Sequence, residues 1–361
     1  MRKFIQISDK KIGKNFPVFV IAEASANHMQ KFANAVKIIK AAKKAGADAV
    51  KFQTYTPDTL TLNLNTKYFK VKHPQWGGQT LYQLYEKAYT PWKWFKKLKK
   101  VADDVGIVFF STAFDKTAVN LLEEINVPVH KIASFELVDL PLIEYVAKTK
   151  KPLIISTGMA NVFEIKQAIY TARNSGAKEI ILLKCVSNYP ANPKEMNLRT
   201  IPHMSKKFGV PVGLSDHTLE SAVSVAAVSL GAVVIEKHIT LSRDVNATDS
   251  FFSTEPQELK DMIKDIRLVE KALGRVNYGT VRGEAKSKTY RRSLFAVEDI
   301  KKGEMFCEKN VRSIRPGYGL APCYLNQVFG QRARKNIAKG TPLTRTLLKS
   351  SSSKRKMEKN K

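Results

Sequence analysis

VFVIAEASANHMQKFANAVKIIKAAKKAGADAVKFQT, residues 18–54, holds the unit whose reading decides the fold. Its first apolar run, Val18 to Ala22, is β-branched and too short for a helix, so it is expected as a buried strand. A helix-period segment follows from Phe32 to Ala45, with Phe32, Ala35, Val36, Ile39 and Ala42 on one face and Gly46 as the stop. A second apolar run, Ala49 to Phe52, then begins. Strand, helix and strand in that order make a parallel βαβ unit.

The unit recurs. Further strands are expected at Ile107 to Phe110, Val129 to Ala133, Leu153 to Ile155, Ile180 to Leu183, Val210 to Gly213 and Ala232 to Ile235, which brings the total to eight. Eight β/α units in that span match a closed (β/α)8 TIM barrel better than an open sheet, an α/β fold assigned to residues 1–273. One connection is out of proportion: residues 54–90 carry Trp76 and two glycines, and an insertion of that size is expected to shape the mouth of a site. After a last helix at Gln257 to Leu273, residues 274–288 form a polar linker and 289–348 a small β-rich module. Within it AVEDIKKG (296–303) and ARKNIAKG (333–340) repeat weakly. Residues 349–361 are expected as a basic disordered tail.

With 43% hydrophobic and 26% charged residues in 361, a large core needs no staples. Cys185, Cys307 and Cys323 form neither a disulfide framework nor a zinc ribbon, which fits a reducing cytosol. No apolar run reaches a signal core or a membrane span, so a soluble cytoplasmic protein is expected. The net charge of +29 raises nucleic acid as a partner, but five charges sit on the tail and the rest are scattered. Lys93, Lys96, Lys97 and Lys100, for example, lie opposite the stripe Trp94, Phe95, Leu98, Val101 and Ala102, so a solvated helix face accounts for them and nucleic-acid binding is disfavoured.

Reactive side chains of such barrels gather where the strands end. Here those ends supply Glu23, Asn27 and His28; Lys51 and Gln53; Ser111 and Thr112; Lys131 and Ser134; Ser156, Thr157 and Gly158; Cys185, Ser187 and Tyr189; Ser215, Asp216 and His217; Glu236 and His238. Two lysines inside neighbouring strands are costly to desolvate without an anion, and the hydroxyls beside them suit a phosphate. Pairing of Lys51 and Lys131 with Glu23 and Glu236 is the structural alternative. His217 and His238 end adjacent strands and could hold one exchangeable Mn²⁺- or Mg²⁺-like ion. His73, His130 and His203 are expected as satisfied core or surface residues.

IAEASANH (21–28), VKFQT (50–54), FSTAFD (110–115), HKIAS (130–134), STGM (156–159), GLSDHT (213–218) and IEKHIT (235–240) resemble the sialic acid synthase family, which condenses phosphoenolpyruvate with an amino sugar. RPGYG (315–319) is similar to the signature of that family's SAF, or antifreeze-like, domain. The resemblance implies a phosphoenolpyruvate pocket of Lys51, Thr112, Lys131, Ser134, Ser156, Ser187 and Ser215. It also implies His217 and His238 as ligands of a divalent metal (Mn²⁺, Mg²⁺ or Co²⁺), Glu23 as the catalytic carboxylate, and Gln53, Tyr189, Asp249 and Arg315 as sugar contacts. It further implies a homodimer with swapped SAF caps. FELVDLPLIEY (135–145), DSFFS (249–253) and NVRSIRPGYGL (310–320) look like the pseudaminic acid synthase branch, whose sugar is 2,4-diacetamido-2,4,6-trideoxy-L-altrose. Phe251 and Phe252 would give apolar contact where that sugar lacks a 6-hydroxyl. N-acetylneuraminate or legionaminate synthesis is the alternative within the family.

Overall fold

The computed structural model describes residues 4–349, so the expected tail lies, beyond Lys349, outside the described residues. The chain divides after Gly274 into two compact units. The first opens with an antiparallel hairpin that sequence reading did not foresee, β1 (Ile5–Ile7) and β2 (Lys10–Ile12), whose isoleucines are buried in the barrel's core. Lys10 lies 3.8 Å from Asp48, the residue before β4, which puts the hairpin at the N-terminal end of the strands.

The barrel is closed and parallel, in the order β3 (Phe19–Glu23), β4 (Ala49–Thr54), β5 (Val108–Ala113), β6 (His130–Ile132), β7 (Leu153–Ser156), β8 (Ile180–Cys185), β9 (Val212–Asp216) and β10 (Val234–His238), which returns to β3. Helix α1 (Phe32–Ala45) follows β3, and α2 (Pro57–Leu60), α3 (Leu81–Ala88) and α4 (Phe95–Val105) follow β4. The remaining strands are each followed by one helix: α5 (Lys116–Glu124), α6 (Leu140–Ala147), α7 (Val162–Asn174), α8 (Thr200–Phe208), α9 (Ala222–Ser229) and α10 (Pro256–Leu273). Helix α1 ends as its sequence predicts, with Gly46 at φ 95° donating its N–H to the Ala42 and Lys43 carbonyls. On α4 Phe95, Leu98 and Ala102 are buried while Lys96, Lys97 and Lys100 are exposed, a solvated face. Among the described residues no helix is long and apolar enough to cross a membrane.

Except for β6, every strand runs past the end its apolar run predicts. Polarity stops an apolar run but not a parallel ladder, whose bonds are backbone to backbone. In the extra residues Glu23 pairs with Lys51, His238 with Glu23, and Gln53 with Thr112. The period of two then separates these ends into two faces. Ser111 and Asp216 lie out of phase with the inward residues. Ser111 bonds Thr54 at 2.7 Å, and Asp216 pairs with buried Lys237 at 3.0 Å while accepting bonds from Thr218 and Ser224. Lys237→Met would leave the Asp216 charge buried without its cation. It is expected to destabilise the fold by about 3 kcal/mol, measured by urea unfolding, and a loss below about 1 kcal/mol would reject that structural role.

The second unit has its own core, including Leu294, Ile300, Phe306, Val311, Val328, Ile337 and Leu343. Strands β11 (Ser293–Ala296) and β12 (Val311–Ile314) pair antiparallel, and α11 (Leu325–Val328) packs beside them. The weak repeat has a structural meaning: its copies pair with each other, Ile300 and Ile337 exchanging both backbone bonds at 2.8 Å. Equivalent side chains then cap reciprocally, Asp299 accepting from the Lys339 N–H and Asn336 from the Lys302 N–H. Two half-copies thus complete one another, as a module this small requires.

Candidate active site

Inside the barrel's C-terminal end the fully buried Lys51 ammonium lies 2.8 Å from Glu23 Oε2 and 3.6 Å from Glu236 Oε1, and donates to Thr112 Oγ1 at 3.0 Å. The structural alternative therefore holds for Lys51. It does not hold for Lys131. That side chain is equally buried, yet among the described residues its ammonium donates only to Ser156 Oγ (2.7 Å) and the Ile132 carbonyl (3.0 Å), with no carboxylate at ion-pair distance. The two lysines do not stand on neighbouring strands, because β5 and Thr112 lie between β4 and β6.

Burial pushes the Glu23 carboxyl up, Lys51 pulls it down and Glu236 pushes it up again, to about 7. Such a group can hold or release a proton near neutrality. Burial holds the Lys131 ammonium below its ordinary value. Glu236 goes the other way, lowered against its own burial by Lys131 and Lys51.

Ser134 and Ser187 flank Gly158. A Cβ added there would fall 2.7 Å from Ser134 Oγ and 2.2 Å from Ser187 Oγ, so the glycine is what lets three strand ends converge. The Gly158 N–H donates to Ser134 at 3.0 Å, and Ser215 turns its hydroxyl to Glu236 at 3.3 Å. On the opposite side Gln53 donates to Glu23 (3.0 Å) and to Ser25 (2.9 Å), whose hydroxyl donates onward to Asp249. Ser25 adopts φ 43° to reach that position.

His217 and His238 stand with ring centroids 5.3 Å apart, as their adjacent strands require. His217 Nδ1 bonds the Val186 carbonyl at 2.8 Å, which leaves Nε2 with the free lone pair. Burial holds His238 well below the usual imidazole range and hence neutral, and its Nδ1 has no partner among the described residues. His238 can therefore offer a lone pair directly. Burial pulls His217 down, but Cys185 and the Val186 carbonyl raise it overall, so His217 Nε2 takes a cation only as its proton leaves. Among the described residues no third His, Cys, Asp or Glu completes a set of three. The pair fits an exchangeable divalent ion whose other positions fall to water and substrate, and does not fit a closed structural site.

Tyr189, Phe251, Phe252 and Trp76 form an aromatic wall beside the imidazoles. Tyr189 lies 4.5 Å from His217, and Phe252 lies 4.8 Å from His238 and 5.0 Å from Tyr189. His28 does not join them: its ring bonds Thr90 at 3.0 Å and accepts from the Gln30 N–H, so it braces the loop after β3. Asn27 likewise donates to the Ile239 carbonyl and Ser253. His130 bonds Glu123 through Nε2 at 2.8 Å, but its buried Nδ1 has no partner among the described residues, so the expected satisfied core histidine is only half satisfied.

Three residues of this region have no assigned role in the sequence reading. Ser25 bridges Gln53 and Asp249. Cys185 lies 4.0 Å from His217 Nδ1; burial pushes its thiol up, and His217, Ser134 and Lys131 bring it down to about 7. Glu136, in the loop after β6, is raised to about 7 by burial against the pull of Lys131, with Oε2 unpartnered. The sequence places it two residues beyond Ser134 and inside FELVDLPLIEY (135–145), without giving it a role. Arg315 belongs to the second unit.

A model of the NeuB family matches residues 38–278, and one of the SAF domain matches residues 291–349. The chain is 44% identical over 326 residues to the pseudaminic acid synthase of Campylobacter jejuni subsp. jejuni serotype O:2, covering 90% of this chain and 95% of that protein. It is 41% identical over 332 residues to the pseudaminic acid synthase of Helicobacter pylori, covering 91% and 97%. Among solved structures, the N-acetylneuraminic acid synthetase of Leptospira borgpetersenii in complex with citrate superposes with a TM-score of 0.71 at 33% identity, covering 79% of this chain and 94% of that one.

Proposed function

We propose that this chain, which belongs to the NeuB family, is a transferase that condenses phosphoenolpyruvate with 2,4-diacetamido-2,4,6-trideoxy-L-altrose to give pseudaminate and phosphate. The observation that carries the first half is Lys131, a buried cation beside the Ser156 hydroxyl with, among the described residues, no counter-charge at ion-pair distance. A phosphate or carboxylate supplies that charge. The second half rests on the likeness to the two pseudaminic acid synthases and on the aromatic wall, which suits a sugar with a methyl group at C6.

In this reading Lys51, Lys131, Thr112, Ser134, Ser156, Ser187 and Ser215 hold phosphoenolpyruvate, and Gln53, Tyr189 and Asp249 orient the sugar. His217 and His238 would hold the divalent ion, which when bound supplies a Lewis acid for the sugar aldehyde. C3 of phosphoenolpyruvate forms the new bond to the aldehyde carbon as both double bonds open, and the aldehyde oxygen becomes a hydroxyl with a proton from the water that adds next. Water adds at C2, and the C2–O bond to phosphate breaks. Glu23, which ordinary pH leaves between its two protonation states, positions that water or takes its proton, while the two lysines stabilise the departing phosphate. Exchange of SAF caps across a homodimer, bringing Arg315 to the sugar, belongs to the same proposal and rests on the family resemblance.

Product identification with each sugar tests the assignment. The trideoxy sugar should exceed N-acetylmannosamine in kcat/KM by about 10-fold or more, because the competitor's extra hydroxyl meets the apolar wall. Equal values would return the chain to the N-acetylneuraminate or legionaminate alternatives.

A further inference from the structure

The long β4 connection ends in a pinned finger. Val71 N–H donates to the Gln79 carbonyl at 3.0 Å and Leu81 N–H to Phe69 at 2.8 Å, and the turn closes with Gly77 N–H on the His73 carbonyl at 2.7 Å. A Cβ on Gly77 would sit 2.7 Å from that carbonyl, so the tip depends on glycine. Around the tip Pro74, Gln75, Gly77 and Gly78 are exposed, yet Trp76 is turned in and half-buried. Its indole Nε1 donates to the Thr248 carbonyl at 2.7 Å, beside Asp249. One ring face stacks on His73 at 4.3 Å, and Tyr189, Phe251 and Phe252 lie 5.6, 5.8 and 6.4 Å away.

From this placement we infer that Trp76 is a specificity-determining residue, the outer panel of an apolar wall that reads the far end of the sugar chain. The inference rests on the proposed substrate. The wall steps outward from the imidazoles, His217 to Tyr189 at 4.5 Å and Tyr189 to Trp76 at 5.6 Å. A sugar whose aldehyde lies at the His pair reaches about 6 Å from C1 to C6 when extended, five carbon–carbon bonds of about 1.5 Å in a zigzag, long enough for C6 to run outward along this wall. The hydrogen bond to Thr248 ties up the indole's only donor, so the ring offers a hydroxymethyl group no polar partner. A methyl group loses nothing there, whereas a hydroxyl gives up its water.

Steady-state kinetics on the intact protein with the trideoxy sugar and with N-acetylmannosamine provide the test. Trp76→Ala is expected to lower kcat/KM for the trideoxy sugar by about 10- to 100-fold, the range of one apolar group in a pocket, with little change for N-acetylmannosamine, read as a competitor if it turns over poorly. KM for phosphoenolpyruvate and the unfolding midpoint are read alongside. Trp76→Phe, which keeps an apolar ring and loses the bond to Thr248, should retain most of the preference. Equal losses on both sugars in a protein whose wild type prefers the trideoxy sugar overturn the inference alone, as does a Phe variant as poor as the Ala variant. A wild type without that preference removes the substrate assignment and this inference with it.

Discussion

Alanine at His217 or His238 is expected to lower kcat by about 10³-fold or more, the loss of several kcal/mol of charge stabilisation, while the unfolding midpoint stays within a few degrees. Excess chelator should do the same to the unaltered protein, and added Mn²⁺ should restore it. The expectation follows from the shell: two imidazoles, and among the described residues no third His, Cys, Asp or Glu grouped with them. An ion held that lightly leaves under chelation, whereas a closed four-ligand site would retain it and collapse with it. The unfolding measurement separates the two cases. Full turnover in chelator by protein shown to be metal-free would overturn the assignment, and unfolding of either variant would make the pair structural.

Which residues were legible in the sequence follows from what each signal could carry. The barrel was legible because its strands are buried on both faces and stand out as apolar runs between helix-period segments. The same signal placed most strand ends too early, since Glu23, Gln53 and Glu236 interrupt the apolar run without interrupting the ladder. The β1–β2 hairpin was missed because three residues a side give too little alternation to register. Polarity marked the right strand ends but not their direction, and only the pairing register separates inward Ser215 from outward Asp216. The role of Glu136 was illegible, although the motif that holds it was not: what sets it apart is a loop carboxyl buried within the influence of Lys131, and loops carry no period to read. The fate of the lysines was a choice the sequence left open, and each took a different branch.

That difference makes the two lysines separable by mutation. Lys131→Met should reduce kcat/KM for phosphoenolpyruvate by about 10²-fold or more, because charge-assisted bonds of about 1.5–3 kcal/mol each are lost against the anion. It should destabilise the fold by less than Lys51→Met does, since among the described residues no carboxylate lies within ion-pair distance of that ammonium, and Glu236 and Glu136 lose only its more distant pull. Lys51→Met should lose comparable activity and also destabilise the fold by about 3 kcal/mol, because Glu23 at 2.8 Å and Glu236 at 3.6 Å would then share a buried space without their common cation. Phosphate provides the cross-check: a ligand that binds only the folded state raises its stability, so millimolar phosphate should raise the unfolding midpoint of the wild type and leave that of Lys131→Met unmoved. If phosphate stabilises both equally, Lys131 is not the anion's partner, and the buried ammonium must be held by its two oxygen neighbours alone.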